Sequence, residues 1–420
     1  MNPTLPTVMF GLSLLAFALI PCPVFAFDWS YEADLDFSGE YNTNILLSPL
    51  PHQDVWGTLL GANLDVSAKS EPWTAGGSIR ILDARYFGQQ GLDTTNLFAH
   101  LNGQYDISER ARLKFEGKYV LDSSLSGLSE GQGLVARRLR RSLVEIIPSW
   151  AYSLSERWIL ELSYKFNDLS YDQADLGASS RVVDSNAHTG IMDLSYNLSE
   201  TTSLNTNLQF ISYTADPPKV REMSAVSIRH KFVNAVLGVD HDIDPTLQIG
   251  LSAGGQFIQS DRNTIVVSDQ ALSLGVLTGR NEDLRTEYVV DAYIKKEFEI
   301  GYLRAEFARG IAPSIFGDLQ KKNRISLMGR YSFLEELSAG LRFDYFEFRN
   351  RNSADIEISG NRINRDVYRI DADLLWNWTE ALSLQAAYRY IHQTRERIPG
   401  VQFGHRIFLT LRYHWDKTSI

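Results

Sequence analysis

The stretch YSLSERWIL at residues 152–160 decides how the rest of the chain is read. Tyr152 and Leu154 end one alternating segment, and Ser155-Glu156-Arg157 has the polar composition of a tight turn. Trp158, Leu160, Leu162 and Tyr164 then fall on one side of the next segment. The same phrase recurs as YDISERARL (105–113), YNLSETTSL (196–204), HDIDPTLQI (241–249), YSFLEELSA (331–339) and WNWTEALSL (376–384). Successive copies start about 45 residues apart, with one double step from 241 to 331, and a weaker copy, FEIGYLRAE (298–306), falls inside that step. Self-similarity at a fixed period marks a repeated supersecondary unit. Each unit here holds two long alternating segments, one tight turn, and a longer polar loop at the opposite end.

The alternation has period two. Leu113, Phe115, Tyr119 and Leu121 share one face, and Arg112, Lys114, Glu116 and Lys118 share the other. Likewise Tyr368, Ile370, Ala372 and Leu374 oppose Arg369, Asp371 and Asp373. A soluble antiparallel sandwich would alternate in the same way. The rings beside nearly every tight turn separate the two cases: Tyr105, Tyr152, Trp158, Tyr196, Tyr302, Tyr331, Trp376 and Trp378. Such rings prefer the headgroup level of a bilayer, although cross-strand aromatic pairing is the plainer alternative. Short turns on one side and long loops on the other complete the plan of an all-β, transmembrane, antiparallel up-and-down β-barrel of about 18 strands. Sixteen is the alternative count, because the 284–311 hairpin is the least regular.

Composition agrees with strands rather than helices as the spanning element. The chain is 44% hydrophobic and 11% aromatic, with a mean hydropathy of −0.19, as expected when only alternate residues meet lipid. Beyond the N-terminus no run of 18 apolar residues occurs, which excludes a membrane-spanning helix there. The net charge of −10 argues against a nucleic-acid partner. Residues 1–26 read as a secretory signal peptide, with an apolar core from Val8 to Ile20, helix-breaking Pro21 and Pro23, and cleavage near Ala26. Its n-region lacks Lys and Arg, so an uncleaved anchor is the rival reading, and Cys22 within LIPC gives a weak lipobox. Residues 27–420 then form a single barrel domain without cysteine.

Taken in order, strands are expected at Trp29–Tyr41, Val55–Ser67, Trp73–Phe87, Thr95–Ile107 and Arg112–Leu121. Long outer loops are expected at 42–54, 122–137, 173–183, 215–223, 261–283, 311–321, 350–365 and 395–402. The last strand, from Phe403 to Trp415, alternates Ile407, Leu409, Leu411, Tyr413 and Trp415 outward. It resembles the C-terminal strand recognised by the outer-membrane insertion machinery, but trails five residues beyond the aromatic.

The N-terminal part resembles one family of outer-membrane barrels, the "beta-barrel porin 2" type. The residues that carry the likeness are EYNTNILLSP (40–49), with Tyr41 and Asn44, then Asp54-Val55 and the repeated Tyr-x-Leu-Ser-Glu turns. Thr43 departs from the more usual acidic or polar residue. Many members are encoded in exopolysaccharide or exosortase (PEP-CTERM) loci, so the resemblance implies a part in polysaccharide export, with export components as partners.

The candidate site is the lumen. Its expected lining is Arg112, Lys114, Glu116, Lys118, Glu161, Lys165, Arg229, Asp291, Lys295, Arg304, Glu306, Arg342, Asp344, Arg369, Asp371, Asp373, Arg389 and Arg412. Mixed charges of this kind suit a hydrated pore for an anionic or sugar-rich solute, or a salt-bridged wall that stiffens the barrel. Arg137, Arg138, Arg140 and Arg141 form a basic rim that would face solvent or attract lipopolysaccharide phosphates. An enzyme acting on lipid or polysaccharide is the alternative from another class, and a structural barrel with a blocked lumen is a third. No His-x-x-His, His-Glu-x-x-His or Gly-x-Ser-x-Gly spacing occurs, so no metal, cofactor or catalytic residue is assigned. His241 falls in a tight turn, and His405 and His414 are expected at the membrane interface or in the lumen.

Overall fold

The computed structural model describes residues 28–47, 54–88, 90–123, 139–172, 183–216, 224–268, 275–314, 317–350, 364–396 and 402–419. The signal-like segment, Arg137 and Arg138 lie outside the described residues. Eighteen strands follow one another. The first six are β1 (Asp28–Asn42), β2 (Val55–Ser70), β3 (Trp73–Tyr86), β4 (Thr94–Ser108), β5 (Ala111–Ser123) and β6 (Arg140–Ser153). The next six are β7 (Trp158–Tyr171), β8 (Asp184–Asn197), β9 (Thr202–Asp216), β10 (Ser224–Asp244), β11 (Leu247–Ser268) and β12 (Gly275–Phe298). The last six are β13 (Gly301–Pro313), β14 (Leu319–Ser332), β15 (Leu337–Asn350), β16 (Arg365–Asn377), β17 (Leu382–Arg395) and β18 (Gln402–Ser419). Each strand pairs antiparallel with the next, and β1 pairs with β18. The sheet is therefore a closed 18-stranded barrel with no free edge, and no α-helix occurs among the described residues.

The repeated turn has a local chemical cause. Its fourth residue turns a side-chain oxygen back on the chain. Ser108 Oγ accepts from the Arg110 and Ala111 amides at 3.3 and 3.2 Å, and Ser155 Oγ does the same for Arg157 and Trp158 at 3.3 and 3.2 Å. Asp244 accepts from the Thr246 amide at 2.7 Å, and Thr379 from the Leu382 amide at 2.9 Å. Such side-chain bonds close a turn that β-pairing alone would leave with unpaired donors. Leu334 breaks the pattern, and there the backbone closes the turn through Leu337 N–H to the Leu334 carbonyl. Rings pack in pairs just above these turns, with centroid separations of 4.3 Å for stacked Trp73–Tyr105, 4.5 Å for tilted Trp158–Tyr196 and 4.7 Å for edge-on Tyr413–Trp415.

The barrel is inside-out relative to a water-soluble protein. Leu237 is 67% exposed, Leu341 60% and Leu409 55%, all on the outer wall, whereas inward-facing Asp344 and Ser326 are fully covered. Exposed apolar side chains recur on every strand from β1 to β18, a continuous belt that only lipid could cover.

Three expectations are corrected. The segment 261–283 is mostly strand, since β11 runs to Ser268 and β12 starts at Gly275, with pairing continuous from Leu247↔Lys296 to Ser268↔Gly275. Likewise β13 extends through 311–313 and β14 takes in 319–321, so the expected loop at 311–321 is shorter. The 284–311 region thus holds two true strands and settles the count at 18. Arg229 is not a lumen residue. Register with β9 and β11 puts Ile228, His230 and Phe232 inward, while Arg229 shares the exposed outer face with Val233 and Leu237.

Candidate functional site

The lumen wall is built from the polar half of each strand's alternation. The expected lining residues other than Arg229 face inward, and most meet an opposite charge from a neighbouring strand. Arg112 bonds Asp106 at 2.5 Å, Lys114 bonds Glu161 at 2.7 Å, Lys165 bonds Glu145 at 2.6 Å, and Glu116 meets His100 at 3.3 Å. Lys118 and Asp291 carry no ion pair among the described residues, and Lys295 pairs with Glu297 along its own strand. Around β13–β16, Glu306 takes both Arg304 (2.5 Å) and Arg324 (2.6 Å), and Asp373 takes Arg330 (2.9 Å). A longer chain runs Arg389–Asp371–Arg369–Asp344–Arg342, with 3.1 Å between Arg369 and Asp371 and 2.8 Å between Arg342 and Asp344. Paired charges that still meet water keep such a wall both hydrated and rigid.

Closure supplies partners that no local pattern shows. Asp36 of β1 takes Arg412 of β18 at 2.6 Å and Arg80 of β3 at 3.3 Å. Glu40, wholly buried, takes both arms of Arg406 at 2.6 and 2.7 Å and also accepts from the Tyr86 hydroxyl at 3.3 Å. Within the expected basic rim, Arg141 is not a rim residue. It points inward and is buried in a two-bond ion pair with Asp122 at 2.6 and 3.0 Å. Arg140, its neighbour, faces outward and is exposed. Alternation on a strand sends adjacent residues to opposite sides, so a dense basic run cannot form one face there.

Two elements narrow the lumen. The first is the loop after β1. Asn44 donates from its side chain to the Phe403 carbonyl at 3.0 Å, and its amide donates to Asn42 Oδ1 at 3.0 Å. Thr43 N–H reaches the His405 carbonyl at 3.0 Å. These bonds fold Ile45 and Leu47 onto the inner wall, where Ile45 packs with Val55, Leu59, Ala84 and Tyr86. Tyr41 instead lies on the outer wall, its ring tilted against Trp56 at 4.6 Å, with its hydroxyl donating to Asp54 at 2.8 Å. Tyr41 and Asn44 therefore anchor the two sides of one loop.

The second element is the outer end of the β13–β14 hairpin. Pairing of β12 with β13 stops at Val290↔Arg309, so beyond that point the hairpin leaves the wall. Its partners there all face inward from other strands. Gln256 of β11 donates to the Ile311 carbonyl at 3.2 Å, Glu287 of β12 pairs with Lys321 at 3.2 Å, and His230 Nε2 of β10 donates to the Gly317 carbonyl at 2.8 Å. Gly317 sits at φ +77° against Ile228, Ala215 and Val183, a left-handed backbone that favours glycine.

The histidines divide between the two surfaces. His405 belongs to an outer aromatic belt, bonded to the Tyr388 hydroxyl at 2.8 Å, and His188 is bonded to the Tyr164 hydroxyl at 2.6 Å. His414 faces the lumen against Asp34 at 2.7 Å, and His241 bonds Thr202 at 2.9 Å beside its turn.

A closed 18-stranded barrel with an apolar exterior, two aromatic belts and a charged interior defines an outer-membrane β-barrel of the kind found in Gram-negative bacteria. No protein-family model matches the sequence, and no curated protein matches it. Solved structures share the fold. The ferric-catecholate import receptor Fiu from E. coli K12, in its open form, superposes with a TM-score of 0.51 at 8% identity, over 91% of this chain and 81% of that one. The unliganded ferric citrate transporter FecA gives 0.50 at 11% identity, over 90% and 61%. OccAB4 of Acinetobacter baumannii gives 0.46 at 12% identity, over 93% and 98%. At these identities the likeness to Fiu and FecA is one of fold.

Proposed function

We propose that this protein is a porin-like channel that passes polar solute across the outer membrane. The observation that carries the reading is the charge-lined interior within an apolar outer wall. Ionised groups on facing strands replace part of a solute's hydration, which lowers the barrier to passage. On this reading the wall positions charge along a path for solute, and its role is passage. The sequence resemblance at 40–49 and the repeated turns support a finer reading, in which the solute belongs to an extracellular polysaccharide and export components are partners. On this reading residues 1–26 direct secretion and are removed near Ala26, the β18 strand engages the insertion machinery, and the belt contacts lipopolysaccharide. Purified, refolded protein in planar bilayers tests the channel: discrete conductance steps are expected, and a folded but silent barrel refutes it. Deleting the gene tests the export role, which fails if secreted polysaccharide is unchanged in amount and location.

A further inference from the structure

We infer that Arg365 and Arg395, on the inner wall at the outer mouth of the lumen, form a binding site for a phosphoryl dianion, either free phosphate or the phosphate of a larger solute. The inference deepens the channel reading by naming a solute class, and the binding itself can be measured whether or not the barrel conducts. Arg365 of β16 and Arg395 of β17 are direct cross-strand partners. Both lie on the inward phase, Arg365 in step with Arg369 and Asp371, and Arg395 in step with Arg389. Like charges set directly opposite each other repel, and a buried charge without a counter-charge is costly. Arg365 is 7% exposed, its guanidinium lies over the Phe348 ring at 4.1 Å, and its buried Nε has no hydrogen-bond partner.

Among the described residues no carboxylate answers this pair. The acids beside them in sequence are engaged elsewhere: Asp366 faces outward and takes Arg349 at 3.0 Å, and Glu396 accepts from the Asn364 side chain. Deeper in the lumen the arginines do meet acids, Arg369 with Asp344, Arg389 with Asp371 and Arg324 with Glu306. With its oxygen turned toward Arg395, the Gln393 amide accepts from that guanidinium at 3.1 Å, which orients it without cancelling its charge. Side chains opposed across two strands have Cβ atoms about 4.5–5.5 Å apart, so both guanidiniums can reach one anion. A phosphoryl group carries about two negative charges near neutral pH and three acceptor oxygens, enough to serve both forks, whereas one carboxylate fills one. Because the pair faces the lumen, lipid headgroups do not reach it, and the anion is a water-borne one.

Calorimetric titration of the full chain, refolded in detergent, tests the site with inorganic phosphate, glycerol phosphate and acetate at constant ionic strength. Phosphate is expected to bind the wild type, and acetate is not. Arg395→Gln is expected to raise the phosphate dissociation constant about tenfold, equivalent to about 1.4 kcal/mol. Arg395→Lys serves if the glutamine variant does not fold, since an ammonium loses the forked contact. Arg140→Gln, which removes an exposed outward arginine of β6, is expected to leave binding unchanged. Folding of each variant is checked by heat-modifiable migration on gels. Glycerol phosphate binding as well as inorganic phosphate assigns the site to a phosphorylated solute, and binding of inorganic phosphate alone assigns it to the free ion; either supports the site. No phosphate binding to the wild type, equal binding of acetate, or undiminished binding in a folded Arg395 variant overturns it. A barrel that binds phosphate but stays silent in planar bilayers refutes the channel reading alone, and one that conducts without binding phosphate refutes the site alone.

Discussion

Replacing Gly317 by valine should widen the pore. The residue holds φ +77°, and a left-handed backbone costs a residue with a Cβ about 1–2 kcal/mol. A Cβ there would also lie 2.9 Å from Ile228 Cδ1, 3.3 Å from Ala215 Cβ and 3.5 Å from Val183 Cγ2. Overfilling such a packed contact adds about 1–3 kcal/mol. The combined penalty, about 2–5 kcal/mol, exceeds the roughly 0.5–1.5 kcal/mol expected of the hydrogen bond from His230 to the Gly317 carbonyl. The hairpin end should therefore leave the β8–β10 wall, and single-channel conductance in planar bilayers should rise. Gly88→Val is the matched control, because Gly88 shares the left-handed backbone (φ +73°) but its Cβ would meet nothing within 4 Å. Equal conductance in the two folded variants would refute the argument that this contact narrows the lumen.

Asp122→Asn should destabilise the barrel by about 3–5 kcal/mol, since it removes the carboxylate that holds the buried Arg141 guanidinium through two bonds, and urea unfolding in detergent measures it. Leu409→Arg on the lipid face should cost about 2–4 kcal/mol, whereas Thr410→Arg on the lumen face of the same strand should cost far less. Comparable losses at both positions would contradict the assigned facing. Arg342→Gln should shift the zero-current potential toward cation preference, because it removes a lumen cation while Asp344 stays charged through Arg369. An unchanged reversal potential in a salt gradient would place Arg342 outside the ion path.

What the sequence determined by itself was everything with a short period. Two-residue alternation assigns a face to most side chains, and the phrase repeated about every 45 residues marks the tight turns from β4–β5 onward, because strand pleat and Ser, Thr or Asp turn capping are local physics. Hence the barrel, its inner aromatic belt and most inward charges were legible before any coordinates. Arg229 was not, because the hairpin that folds inside covers the inner wall at Ile228, His230 and Phe232 and makes apolar residues correct there. Arg141 was not, because its partner Asp122 is across a strand pair and turns a basic run into a buried ion pair. Only closure could bring Arg406 to Glu40, 366 positions apart, and Arg412 to Asp36, 376 apart. The tertiary structure alone decided which charges are neutralised and where the lumen narrows, since both depend on which strands become neighbours when the sheet rolls shut.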